Sequence, residues 1–336
     1  MHASLDILKN IKFSVLDLVP VAQGNSALNS FHNSLELAKH VESLGFERFW
    51  ISEHHNMENI VSSATSILIG YVAQGTSQIR VGSGGIMLPN HAPLVVAEQF
   101  GTLATLYPRR IDLGLGRAPG TDQETAAALR RNRQESPQDF PNNVQELQKY
   151  LSEENKNASV RAIPGEGLNI PLYLLGSSTF SAQLAATLGL NYAFASHFAP
   201  AYLHQALQIY KENFKASNQQ NKAYAIACVN VIAADTDEEA ERMATTLKQF
   251  ALGIIRGVRK PIPAPVASMD NIWNEAEKHA IQQMMHYTFI GSENTIRESL
   301  SRFAEETQVD EIMVVSHIHN HEERLRSYEI LSRLFN

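Results

Sequence analysis

Short apolar, β-prone stretches recur eight times along this chain, each followed by a segment of helical periodicity. A strand that returns through a helix pairs in parallel with the next strand, so the pattern implies a parallel sheet clothed by helices. Eight such units in 336 residues suit a closed (β/α)8 TIM barrel better than a doubly wound sheet. The predicted strands cover 11–18, 48–51, 79–88, 111–115, 172–175, 192–195, 224–233 and 311–315. Pro93 suits the first turn of a helix, Gly45 a helix stop, and Thr236-Asp237-Glu238-Glu239 a capping box.

One stretch breaks the rhythm. Residues 256–289 are too many for an ordinary connection; they carry Pro261, Pro263 and Pro265 and then a helical signal near 275–285. This reads as an insertion between the seventh and eighth strands, placed to act as a lid. With no linker elsewhere, residues 1–336 read as a single domain. Charged residues make up 19% and hydrophobic ones 44%, enough apolar material for a large core. The net charge of −7 offers nucleic acid no basic surface. The single cysteine, Cys228, excludes an internal disulfide framework and lies in an apolar run as a small buried hydrophobe. No run reaches the roughly 18 apolar residues of a membrane span, and no secretory leader is evident, so the expected location is the cytoplasm.

In a TIM barrel, chemistry gathers where strands end. The predicted ends bring together Asp17, Glu53-His54-His55-Asn56, Gly84-Gly85 with His91 beyond, Gly116-Arg117, Ser177-Ser178, Ser196-His197 and Ser316-His317. Glu53 to Asn56 reads either as an acid–base rim or as a solvated loop. Gly176 to Ser181 joins a strand to a helix, where hydroxyls and free N–H groups grip a phosphate; plain N-capping by Ser178 or Thr179 accounts for the same residues. Gly114-Leu115-Gly116-Arg117-Ala118-Pro119-Gly120 fails as a dinucleotide fingerprint, because Pro119 stands in place of the third glycine. His317-x-His319-x-His321 permits a two-histidine metal grip in extended backbone, but reads better as a polar connection to the last helix, and no metal is expected.

Five runs in this order resemble the bacterial-luciferase-like flavin monooxygenases: WISEHHN at 50–56, GSGGIMLPNH at 82–91, AEQF at 97–100, RIDLGLGRAPG at 110–120 and LGSS at 175–178. The resemblance implies a TIM barrel that holds FMN at its carboxyl rim and uses reduced flavin and O2, through a C4a-peroxyflavin, on an organic substrate. Because no pyridine-nucleotide domain is visible, a separate reductase would supply the reduced flavin. Two alternatives keep the fold: hydride transfer with a deazaflavin, and a non-catalytic flavin-binding accessory protein. By position, His54 matches the family's catalytic histidine and Glu53 a flavin-site carboxylate, with His55 left as structural support. Gly84-Gly85 match a non-proline cis peptide under the flavin ring. Arg117, Ser177, Ser178 and Ser181 match the phosphate site, and Ser196 and His197 a flavin-edge position. Arg130 or Arg131 is the candidate second phosphate arginine. Gly116 stands where the light-emitting subunit has a reactive cysteine, so light emission is not implied. The resemblance also implies a homodimer, through the second and third helices, where Ala64, Ala73, Ala97 and Gly101 permit close packing.

Overall fold

A computed structural model describes residues 7–129 and 137–336. Its strands are β1 (Lys12–Asp17), β2 (Arg48–Ile51), β3 (Arg80–Met87), β4 (Ile111–Gly116), β5 (Leu172–Gly176), β6 (Asn191–Phe194), β7 (Ala225–Ala233), β8 (Thr288–Gly291) and β9 (Glu311–Val315). Every pairing between them is parallel. The ring runs β1-β2-β3-β4-β5-β6-β7-β9 and closes where Lys12 to Val15 pair with Glu311 to Val314. This is the closed eight-stranded barrel that the alternation predicts.

The helices are α1 (Ala27–Ser43), α2 (Thr65–Gly75), α3 (Pro93–Leu106), α4 (Gln123–Leu129), α5 (Phe140–Leu151), α6 (Thr179–Leu188), α7 (Leu203–Asn213), α8 (Asp237–Ile255), α9 (Glu275–Met284), α10 (Glu293–Thr307) and α11 (His321–Ser332). Period-two alternation divides the strands between two cores. Val15, Phe49, Val81 and Leu113 face out and pack with Leu37, Val41, Ile69 and Phe100 of the helices. Leu16, Trp50, Tyr173, Ile226 and Met313 face into the barrel. No helix among the described residues is long and apolar enough to cross a membrane.

The expected insertion needs one correction. The 256–289 stretch contains α9, as its helical signal predicts, but it ends in a ninth strand. β8 pairs Thr288 to Gly291 with Asn230 to Ala233, extending β7 past its last barrel neighbours. β8 has only four residues, Thr-Phe-Ile-Gly, of which Gly291 alone is fully buried. So short a segment shows no alternation, and its pairing partner is what makes it a strand.

The amino-terminal mouth of the barrel is filled by charge. Arg48 donates to Asp112 at 2.6 Å, to Glu311 at 2.7 Å and to the Tyr173 hydroxyl at 2.8 Å. Trp50 Nε1 also donates to Asp112, at 3.1 Å, and the Tyr224 hydroxyl donates to Glu311, at 2.6 Å. Arg80 grips the other Asp112 oxygen, and Ser14 donates to Glu311. Asp112 and Glu311 are wholly buried, and burial of ions is tolerable only with partners on this scale.

Candidate active site

A cavity of about 570 Å³ opens at the carboxyl ends of the strands. Its walls come from nearly every strand end, which explains why residues scattered through the sequence meet there. At one pole stand Arg117, just beyond β4, and Ser177, Ser178 and Ser181 at the start of α6. Ser178 occupies the N-cap position in extended backbone, yet its hydroxyl makes no capping bond. Of the two sequence readings of this turn, side-chain capping by Ser178 is therefore absent. The guanidinium of Arg117 lies 4.3 Å from the centroid of Phe180, and no ion pair joins it to another described residue. Such a pole suits an anion.

The floor is set by β3. The Gly84–Gly85 peptide is cis. A Cβ on Gly84 would sit 2.6 Å from Leu16 Cδ1, and one on Gly85 would sit 2.9 Å from the Gly114 carbonyl oxygen. Neither position has room for a side chain. Gly84 lines the cavity; Gly85 is not among the lining residues. A side chain at Gly116 would meet Met87 Sδ at 2.6 Å, so this cavity wall is shaped around the glycine.

Three histidines converge on the cavity: His54 after β2, His197 after β6 and His317 after β9. His54 Nδ1 lies 3.1 Å from Ser52 Oγ, which in turn contacts Ser62 Oγ at 3.1 Å. With Nδ1 engaged, Nε2 is the nitrogen left for a ligand. Burial pushes the His54 imidazole down to about 4; the Glu53 carboxylate opposes this and His55 adds to it. Burial, with smaller contributions from His317 and His54, takes His197 to about 3. Burial and the Arg324 charge take His317 to about 4 against the pull of Asp17. All three rings are thus neutral at physiological pH, and each offers one donor and one acceptor.

Glu53 is differently placed from the sequence expectation. It is 1% exposed and does not line the cavity. Its carboxylate accepts from His55 at 2.8 Å, from His91 at 2.9 Å and from the Met87 N–H at 2.9 Å. Burial raises its pKa, but these hydrogen bonds and the His91 charge outweigh that and hold it at about 2. Glu53 thus ties the ends of β2 and β3 together behind the cavity wall, and His55 belongs to the same tie. Ser196 is also off the cavity: it is fully buried and donates to the Cys228 carbonyl at 2.6 Å. Arg130 and Arg131 lie outside the described residues.

His317, His319 and His321 diverge. His317 faces the cavity, His319 approaches the Gln23 carbonyl at 3.4 Å, and His321 opens α11 beside Glu36 at 3.3 Å. No cluster among the described residues has the makings of a metal site. Sequence reasoning placed His317 on the rim, but as part of a polar connection to the last helix rather than as a cavity residue. It also passed over Asn230, whose amide donates to the His197 carbonyl at 2.6 Å and so fixes the loop after β6. A lone amide inside the apolar run of β7 was the signal available. Phe250, Met284 and Met285 complete the far pole, and only the packing of α8 and the segment after it brings them there.

The profile of a family described as luciferase-like monooxygenase matches residues 11–329. A luciferase-like monooxygenase of Escherichia coli (strain K12) is 50% identical over 322 residues, which span 96% of each chain. The crystal structure of apo-MsnO8 superposes with a TM-score of 0.86 at 35% identity, covering 97% of this chain and 98% of that one. The oxygenating constituent of 3,6-diketocamphane monooxygenase from Pseudomonas putida, in complex with FMN, has the same fold, with a TM-score of 0.66 at 18% identity over 96% of this chain and 98% of that one.

Proposed function

The chain belongs to the luciferase-like monooxygenase family, a family of flavin-dependent oxidoreductases, and on that premise we propose that it is an FMN-dependent monooxygenase. In this reading reduced FMN comes from a separate reductase, its phosphate goes to the Arg117 pole, and a small organic substrate goes to the Phe250 pole. One observation carries the reading. A cation with no ion pair among the described residues, three serines and the start of α6, which has no side-chain cap, face one end of a largely apolar cavity. An aromatic ring system with a phosphate tail has that distribution of polarity.

Bound reduced flavin supplies the electrons that O2 accepts. The protein's own residues do the rest. Gly84 leaves the floor flat, and Trp50 and Leu175 supply apolar walls that exclude water. His54 Nε2 exchanges a proton with the reacting groups while Ser52 holds its ring. Glu53 positions His55, His91 and the end of β3, without touching the ligand.

The test is anaerobic titration with reduced FMN and with reduced riboflavin. We expect FMN to bind tighter, because riboflavin lacks the phosphate. Arg117→Ala should weaken FMN by about 10- to 100-fold, the range of a lost charge-assisted hydrogen bond. It should leave riboflavin unchanged. Equal binding of the two flavins to wild type would end this assignment of the pole. Binding of a deazaflavin in preference to FMN would instead favour hydride transfer.

We also propose a homodimer through α2 and α3. Of the small residues expected there, Ala64 is exposed, whereas Ala73, Ala97 and Gly101 are buried inside the chain, with Gly101 packed against Gly165. The exposed apolar side chains of these helices are Ile67 and Tyr71 on α2 and Val95 and Leu106 on α3. Surfaces of this kind mark association sites. Sedimentation should show a dimer for wild type and a monomer for Ile67→Glu combined with Leu106→Glu. A monomeric wild type refutes the proposal.

A further inference from the structure

The cavity sorts charge from one end to the other, and this bears on the substrate. From that sorting we infer that the far pole takes an uncharged, largely apolar molecule bearing one hydrogen-bonding group, and that His317 is the residue that meets this group. The inference rests on the flavin reading above for the use of the opposite pole.

The far pole is walled by Leu247, Phe250, Ile254, Met284 and Met285, contributed by α8, α9 and the residue after it. Thioethers and a phenyl ring favour apolar groups of varied shape. The charged side chains that line the cavity are Arg117 and Arg259, and Arg117 belongs to the anion pole. Arg259 is already paired with Asp122 at 3.0 Å. No carboxylate lines the cavity among the described residues, so a cationic substrate finds no partner there. An anionic one would compete with Asp122 for Arg259. Either ion would also lose its hydration on entering a largely apolar chamber.

His317 is the exception to the apolar wall. It is 4% exposed, and it stacks on Phe250 with ring centroids 4.7 Å apart and planes 22° apart. Its Nδ1 has no hydrogen-bond partner among the described residues, as is also true of His197 Nδ1. A buried imidazole with an unused nitrogen costs stability unless a ligand or water engages it. Burial and the Arg324 charge keep the ring neutral against the pull of Asp17, which pairs with Arg324 at 2.8 Å. A neutral imidazole presents a donor and an acceptor, which suits a carbonyl, hydroxyl or ester, and gives no ionic gain to a carboxylate.

An adjoining cavity of about 770 Å³ shares His54, Met57, Ile60, Val258 and Arg259 with the first and adds Lys260 and Glu58. Charge therefore reappears outside the chamber, where the approach to it is solvated.

Three ligands of one skeleton test the inference: octan-2-one, octanoate and octylamine, each titrated calorimetrically into the protein with and without FMN. The ketone should bind, and the two ions should bind at least about tenfold more weakly, given the cost of their desolvation. His317→Phe keeps the stack on Phe250 but removes both nitrogens; it should weaken the ketone by about tenfold, the value of one buried hydrogen bond. His317→Asn retains a donor and should keep most of the affinity. Octanoate binding as tightly as the ketone would overturn the inference in favour of anion recognition at Arg259 and Lys260. Unchanged ketone binding by His317→Phe, or binding of none of the three, would overturn it as well. The FMN titration in the same samples reports separately on the flavin reading, since the ketone should discriminate His317 variants whether or not FMN binds.

Discussion

His54→Ala should bind reduced FMN within about threefold of wild type while its turnover falls by about 10²- to 10⁴-fold, the usual contribution of a positioned acid–base group. Ser52 engages Nδ1 and leaves Nε2 free on a ring that lines the cavity, so the variant removes a proton carrier and little of the binding surface. Single-turnover reoxidation of bound reduced FMN by O2, with an accepted substrate present, reads the effect. A variant that keeps a third of the wild-type rate would show that His54 only fills space. The pH dependence supplies a second check. Because the imidazole is held near 4, below its ordinary 6.5, the neutral form prevails above about pH 5. The contribution of His54 should be flat from there through neutrality and disappear as pH falls through about 4. Stability follows the same sign. Between 6.5 and 4 the unfolded chain binds the proton and the folded chain does not, so stability is complete above the upper value and declines as pH drops through this window.

Arg48→Met should destabilise the fold by about 3–5 kcal/mol, the penalty of stranding buried partners rather than the value of the ion pair itself. Arg48 joins Asp112 to Glu311 inside the barrel mouth, and without it Glu311 keeps, among the described residues, hydroxyl partners alone, Ser14 and Tyr224. Asp112 retains Arg80. Adding Glu311→Gln to Arg48→Met should recover part of the loss, because the stranded charge is then gone. Equilibrium urea unfolding followed by tryptophan fluorescence and far-ultraviolet dichroism measures both variants. A change of less than about 0.5 kcal/mol in Arg48→Met, the range of an ordinary surface substitution, would mean that water or a rearranged Arg80 replaces it. This mouth lies at the opposite end of the strands from the cavity, so flavin affinity should be nearly unchanged in any folded variant.

The sequence alone determined the barrel and the rim. Strand and helix periodicities differ, so alternation of the two is visible without any long-range information, and parallel pairing follows from it. The residues that end a strand can be named once the strand is found, which is why His54, Gly84, Arg117, Ser178 and His197 could be gathered onto one rim before any distance was known. Only the tertiary structure decided which way each of them points. Glu53 and His54 are adjacent, yet consecutive side chains leave extended backbone on opposite sides: His54 meets the cavity, and Glu53 turns away to His55, His91 and the β3 end. Ser196 and His197 divide in the same way. β8 became a strand only by pairing with β7, and His317 became a cavity residue only when α8 laid Phe250 against it. Local sequence carries periodicity and turn chemistry; orientation and partnership depend on residues as far as 307 positions away, as in the pairing of Asp17 with Arg324, and those are settled only when the ring of strands closes.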